Sequence, residues 1–351
     1  MWCSNLITSI FAAAAAAVEA YGIKTHINYE VVTGIFKQDD PATNASSFNF
    51  TAENFGLIER KYPSDWSLFR RPTSWQRLNR YIETLNLKAK HNERYTLLFL
   101  GRHGEGYHNT AETYYGTPAW NCYWAEQDGN GTVTWADAHL TPKGIAQAQH
   151  ANKFWSTLLA TEKIAAPQTY YTSPLHRCLD TARLTFAGLP LPSTSPFVPT
   201  VKESFREGIS AHTCDRRSTR SSLRAAFPAY RFERGFAERD PVWTALHAEP
   251  AAVQDVRSRA VLDDVFGSDR STYISVTAHS GEIASLLRVL GHGVFGLATG
   301  AALPVLVKAS TRTVVGGGGS ATRTGSWPVQ KTCGVPPGVR DSSCNDCSCC
   351  A

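Results

Sequence analysis

Hydrophobic and polar positions alternate in blocks through the middle of the chain: a short apolar run, a polar loop, then an amphipathic stretch. Thr96–Leu100 is a continuous run of strand length, as expected for a strand buried on both faces. Thr141 followed by Pro142 has the form of an N-cap and a first helical residue. Ile145, Ala148, Ala151, Trp155, Leu158 and Leu159 then recur at helical spacing. Thr169–Thr172 predicts a second strand, and Leu175, Leu179 and Ala182 a helix after Ser173-Pro174. Tyr273–Thr277 predicts a strand followed by a helix over Glu282–Leu290, and Leu303–Val307 a last short strand. Strands alternating with helices predict an α/β fold, a three-layer α/β/α sandwich around a mainly parallel central sheet.

The flanks read differently. Residues 21–94 have mixed polarity and are interrupted by Pro41, Pro63 and Pro72. They are expected to form loops and one helix near Ser74–Leu87, an N-terminal extension packing on a main domain of residues 95–310. Residues 311–351 begin a stretch with a Gly316–Gly319 run and no apolar periodicity, which predicts a disordered Gly/Cys-rich tail. At the other end, Leu6–Ala20 is apolar but too short and Ala-rich for a membrane span, which needs about 20 residues. It has the form of a signal-peptide core with Val18-Glu19-Ala20 as a small-x-small cleavage site, although MWCSN before it carries no Lys or Arg. Residues 1–20 are read as a signal peptide and the protein as secreted; an ordinary Ala-rich helix and a cytoplasmic protein are the alternative. Three sequons, at Asn44, Asn49 and Asn130, favour the secretory route. No membrane span is expected in the mature chain.

Composition narrows the functional classes. With 42% hydrophobic and 19% charged residues over 351 positions, the chain is neither disordered nor a long coiled coil. A net charge of +5 is too small to argue for nucleic acid and is compatible with an anionic substrate. Most cysteines fall in the tail, where CNDCSCC could hold a soft metal or form bridges, without a second ligand pair at zinc spacing. Cys178 and Cys214 read as buried thiols rather than nucleophiles.

Sites in open α/β sheets form beyond the C-terminal ends of the strands. The residues there are Arg102-His103-Gly104-Glu105, with His108 and Asn109 close behind, then Ser173-Pro174-Leu175-His176-Arg177, and later Ala278-His279-Ser280-Gly281. Between the last two lies Glu203-Ser204-Phe205-Arg206-Glu207-Gly208. Two His, two Arg and a Glu brought to one sheet edge suit phosphoryl transfer. Arginine forks match phosphate oxygens, a neutral imidazole can attack phosphorus, and a carboxylic acid can protonate the leaving oxygen and then activate water.

Arg102-His103-Gly104-Glu105 after a buried strand resembles the signature of the histidine phosphatase, or phosphoglycerate mutase-like, superfamily. Ser173–Ala182 and Thr277–Gly281 resemble its second and third motifs, in the same order, and the resemblance spans roughly residues 95–308. GRHGEGYHN, YYGTPAWNCYW and HTCDRRS are similar to stretches of fungal phosphoglycerate mutase-like proteins. The resemblance implies that His103 is the nucleophile that becomes phosphohistidine. It implies that Arg102, Arg177 and His279 hold the phosphoryl oxygens, with Asn109 as a minor contact. Glu207 aligns with the proton donor, with Glu203 as the nearby competitor and Asp215 a distant third. His108 and His176 are read as structural.

The pattern also excludes. The acid phosphatase branch carries Arg two residues after RHG and Asp directly after the second His, where this chain has Gly106 and Ser280, so the resemblance is to the mutase-like branch. His212–Arg217 is not the sequence with which mutases grip phosphoglycerate, which favours hydrolysis of a small phosphorylated substrate. A phosphomutase or phosphotransferase using the same pocket, and a non-catalytic binder of phosphorylated ligands, are the alternatives. No cofactor and no metal are expected, because no carboxylate stands at ligand spacing from the motif histidines. Arg216, Arg217, Arg220 and Arg224 are either a solvated basic face or a grip on a second anionic group. Tyr114–Trp120 and Trp124 are either packing or an apolar pocket wall.

Overall fold

The computed structural model describes residues 23–65, 72–315, 327–335 and 347. Seven strands form one sheet: β1 (Ile23–Val31), β2 (Glu93–Arg102), β3 (Thr169–Thr172), β4 (Thr200–Val201), β5 (Arg231–Phe232), β6 (Tyr273–Ala278) and β7 (Ala302–Val315). Their order is β1-β7-β2-β6-β3-β4-β5. β2, β6, β3, β4 and β5 run parallel, whereas β7 is antiparallel to β2 and β1 antiparallel to β7. The helices are α1 (Ser74–Lys88), α2 (Tyr107–Tyr115), α3 (Thr117–Cys122), α4 (Pro142–Thr157), α5 (His176–Phe186), α6 (Arg220–Ala226), α7 (Ala251–Ser268) and α8 (Ser280–Leu290). This is the expected α/β sandwich with a mainly parallel sheet. No helix among the described residues is long and apolar enough to cross a membrane.

The central strands behave as their composition dictates. Every residue of β6 and residues 96–100 of β2 are buried, so both faces of the sheet are covered. α4 starts where expected: the Thr141 hydroxyl accepts the Gly144 N–H at 3.1 Å and Pro142 occupies the first turn.

Three segments depart from expectation. The segment before α1 does more than pack on the domain, because it supplies the edge strand β1, in which buried Ile27 and Tyr29 alternate with exposed residues. It also inserts Phe55, fully buried, among Phe99, Phe154 and Trp155 with ring centroids 4.9–5.7 Å away. β7 runs on to Val315, well past the expected Val307, because β1 gives it an edge to pair with. The tail is not disordered throughout. Gln330 N–H donates to Leu246 C=O at 2.8 Å and Ala248 N–H to Pro328 C=O at 3.1 Å. Cys333 N–H donates to Cys122 C=O at 2.8 Å, and Cys347 is disulfide-bonded to Cys122. Covalent closure onto α3 replaces the apolar periodicity that the tail lacks. The signal-peptide segment lies outside the described residues.

Candidate functional site

The site sits where the parallel strands end. His103 follows β2, and its N–H is held by the Ala278 carbonyl at the end of β6 at 3.0 Å. The loop that follows His103 then lies directly on the first turn of α4. A Cβ at Gly104 would stand 2.4 Å from the Gly144 carbonyl oxygen, and one at Gly144 would stand 2.1 Å from that of Glu105. Only glycines permit this backbone-on-backbone approach. The Gly104 N–H is taken by the Thr181 hydroxyl of α5 at 2.9 Å, which fastens the loop to the helix that carries Arg177.

His103 is 1% exposed, and its Nδ1 lies 2.7 Å from the Gly104 carbonyl oxygen. A carbonyl only accepts, so Nδ1 carries the proton and Nε2 the lone pair. Burial, reinforced by Arg177 and Arg102, holds the His103 pKa well below the usual imidazole value and keeps the ring neutral. His279, which follows β6, lies with its ring centroid 5.0 Å from that of His103. Its Nδ1 accepts from Arg177 Nε at 3.3 Å, so Nε2 carries the proton and meets the Ser173 hydroxyl at 2.8 Å. Burial and then Arg177 hold its pKa well below the usual value as well.

Both predicted arginines arrive here. Arg177 is fully buried; besides His279 it donates to the Cys214 carbonyl at 2.6 Å and lies 3.4 Å from Asp215. These contacts use three of its five N–H donors. Arg102 donates from Nη1 to Leu297 C=O at 2.7 Å, while its buried Nε has no hydrogen-bond partner. Two guanidinium groups and two neutral imidazoles thus converge in one buried recess, a combination that can hold an anion. Asn109 has a local role: its Oδ1 accepts the Gly106 N–H at 3.0 Å at the start of α2. His108 lies beside His103, ring centroids 5.4 Å apart, with a buried Nδ1 that has no partner. Cys178 and Cys214 are free and buried, and burial raises both thiol pKa values.

The acid candidates separate by their partners. Glu203 is held by Arg217 Nε at 2.9 and 3.0 Å and by Arg206 at 3.0 Å. Asp215 is committed to Arg177 and to the Ser210 hydroxyl at 2.6 Å. Glu207 instead caps α8, the helix that starts after His279. Its oxygens accept N–H groups of Glu282 at 3.0 Å, Gly281 at 3.2 Å and Gly208 at 2.9 Å. A Cβ at Gly281 would lie 2.3 Å from Glu207 Oε1, so a glycine is needed for the carboxylate to come this close.

A buried network that no short motif announced supports Glu207. Arg257 of α7 donates to the carbonyls of Ser204, Arg206 and Glu207 at 2.8–3.0 Å. It also pairs with Glu249 at 2.7 Å and Glu282 at 3.1 Å. Glu282 is fully buried and is also bound by Ser258 at 2.9 Å; burial pushes its carboxyl up to about 7. Two members of the basic run are held in structural contacts. Arg217 is fully buried with Glu203 and four backbone carbonyls, and Arg216 pairs with Asp128 at 2.7 Å over the Trp243 ring. The aromatic segment packs mainly on itself: Tyr115 stacks on Trp124 at 4.2 Å, and Trp120 and Trp135 meet edge to face.

Comparison with known proteins follows this geometry. A family model described as the histidine phosphatase superfamily, branch 1, matches residues 98–299. A "Probable phosphoglycerate mutase" of Arthroderma benhamiae is 47% identical over 289 residues, 82% of this chain and 86% of that one. "Phosphomutase-like protein 3" of Candida albicans is 36% identical over 273 residues, 78% of this chain and 77% of that one. Among solved structures, a mycobacterial glucosyl-3-phosphoglycerate phosphatase is 20% identical, with a TM-score of 0.36 over 60% of this chain and 90% of that one.

Proposed function

Because the chain belongs to the histidine phosphatase superfamily, branch 1, we propose that it is a phosphomonoesterase working through a phosphohistidine on His103. The observation that carries this reading is the neutral His103 whose Nδ1–H is tied to the Gly104 carbonyl. That arrangement leaves Nε2 nucleophilic at neutral pH without a base to deprotonate it.

The steps follow from the residues. His103 Nε2 attacks phosphorus as the P–O ester bond breaks, and Glu207 gives its proton to the departing alkoxide. Arg102, Arg177 and His279 stabilise the charge spread over the equatorial oxygens, His279 once its Nε2–H exchanges the Ser173 hydroxyl for a phosphoryl oxygen. Water then attacks the phosphohistidine, Glu207 takes its proton, the N–P bond breaks and neutral His103 is regenerated. The residues of each step are all protein groups, so release of phosphate should resist EDTA. The test is phosphate release from an aryl phosphate by wild-type protein and the His103→Ala variant, with and without EDTA. EDTA-resistant release that the variant lacks supports the hydrolase. Wild-type protein that labels on His103 but releases no phosphate points to the second reading, a phosphomutase or phosphotransferase, which the names of the fungal relatives favour. Wild-type protein that does neither points to a ligand-binding relative.

Secretion is part of the same reading. Asn44, Asn49 and Asn130 are exposed, as acceptors of glycans must be, and a disulfide suits an oxidising compartment. A glycosidase-sensitive mass shift of protein recovered from culture medium tests it.

A further inference from the structure

Outside the phosphate recess, a second group of titratable side chains converges at the first turn of α5. His176 and Asp180 are four residues apart on that helix and so share a face. His139 reaches them from the loop before α4, with its ring centroid 4.1 Å from that of His176. One nitrogen of each imidazole and one oxygen of Asp180 all lie within 4.8 Å of one another. His176 Nδ1 is buried and makes no hydrogen bond. His139 is exposed, so the cluster is open to solvent.

We propose that His139, His176 and Asp180 form a Zn2+ site at the N-terminal turn of α5, separate from the phosphate recess. Two imidazole nitrogens and one carboxylate oxygen are a zinc donor set, and three protein ligands leave the fourth tetrahedral position to water. Donors already within 4.8 Å of one another are close to the spacing around one zinc ion, whose bonds are about 2.0–2.2 Å. The surroundings suit such a site. Asp180 Oδ1 is paired with Arg183 at 2.7 Å, and its second oxygen can serve the metal. Asp137 is committed elsewhere, accepting the His176 N–H at 2.9 Å and the Ser218 N–H at 2.8 Å. The Phe227 ring lies 5.3 Å from that of His176 and walls one side.

Zinc here would tie together two segments that frame the recess. The His139 carbonyl accepts the Tyr107 N–H at 3.0 Å, at the start of the helix that follows the nucleophile loop. His176 precedes Arg177. The ion would therefore clamp the nucleophile loop to the phosphate-binding helix and act on stability, taking no part in phosphoryl transfer.

The experiment uses the full chain, stripped of metal and with its disulfides oxidised. Zn2+ is titrated calorimetrically, and thermal unfolding is followed with and without it. Wild-type protein should bind one Zn2+ per chain and melt at a higher temperature when loaded. His139→Ala and Asp180→Ala should each weaken binding by more than the roughly 10–100-fold that loss of an outer-shell partner costs, and abolish the rise in Tm. Exposed His91, remote from the cluster, serves as the control, and His91→Ala should keep both. Unchanged melting of the metal-free variants shows that they fold. Wild-type protein that binds no Zn2+, or variants that both bind it as wild type does, would overturn the proposal. Neither readout involves turnover, so its failure is distinct from failure of the proposed activity.

Discussion

Two neighbouring charged clusters use the same residue types to opposite ends. Around Arg206 and Arg217, every buried charge meets its counterion: Arg206 pairs with Asp240 at 2.7 Å and Glu203 at 3.0 Å, and Arg217 pairs with Glu203 at 2.9 Å. Beyond the ends of β2 and β6, Arg102 and Arg177 surround neutral imidazoles; Arg177 has Asp215 at 3.4 Å, whereas Arg102 donates to the Leu297 carbonyl and has no carboxylate at salt-bridge distance among the described residues. The first cluster is electrically closed and fixes the 203–240 loops. The second leaves Arg102 without a carboxylate counterion, which the phosphoryl group of the proposed substrate would supply. Buried charge therefore points to a candidate site where a cation lacks a carboxylate counterion, rather than wherever charge is buried.

Perturbing each cluster should separate turnover from stability. The largest effect belongs to the open cluster: His103→Ala should lower turnover roughly 10⁴-fold or more, with Tm close to wild type. Steady-state kinetics beside a thermal melt would show it, and an equal loss in both would contradict the assignment. Glu207→Gln should cost about 10²–10⁴-fold in kcat, whereas Glu203→Gln should leave kcat near wild type in molecules that remain folded. If the two variants exchange these outcomes, Glu203 is the acid.

The closed cluster should fail in stability. Arg217→Ala leaves Glu203 short of a partner and should cost about 3–5 kcal/mol in denaturant unfolding, with activity per folded molecule retained. Glu282 gives a pH test. Its folded carboxyl is raised to about 7 from the ordinary unfolded value near 4.3. The folded state therefore holds this proton more tightly. Its stabilising contribution is full below the unfolded value and is lost as pH rises through about 7. Glu282→Gln should gain stability relative to wild type as pH is raised from 4 to 8, and a constant difference across that range would refute the linkage. The smallest effect is expected at the surface pair: Arg216→Ala should change stability by no more than about 1 kcal/mol.

What could be read without coordinates was local. His103, Arg177 and His279 follow strands whose apolar runs are visible, and short motifs surround them. The helix start at Thr141 was legible from its cap and periodicity, and a helix near Ser74 was expected and is present. α7 was not, because its buried face carries Gln254 and Ser258, which reach Glu282 rather than apolar neighbours. β1 alternates cleanly, yet its partner strand lies at the far end of the chain. His176 and Asp180 stand four residues apart, a spacing that the expectation of no metal passed over, and His139 joins them only through the fold.

The sequence by itself determined where the candidate site residues stand along the chain, because the order of apolar runs sets the strands and short motifs follow their ends. Only the tertiary structure separated Glu203 from Glu207 by their partners. Both are acids in one short loop, and what distinguishes them is which cations and N–H groups arrive from distant segments. Arginines from residues 206 and 217 neutralise one, and the N-terminus of α8 receives the other. The same holds for the tail, where a disulfide to Cys122 and backbone pairing with residues 246–248 order a segment that has no hydrophobic pattern of its own. Pattern encodes burial along one element, whereas the pairing of charges and of edges depends on which elements meet.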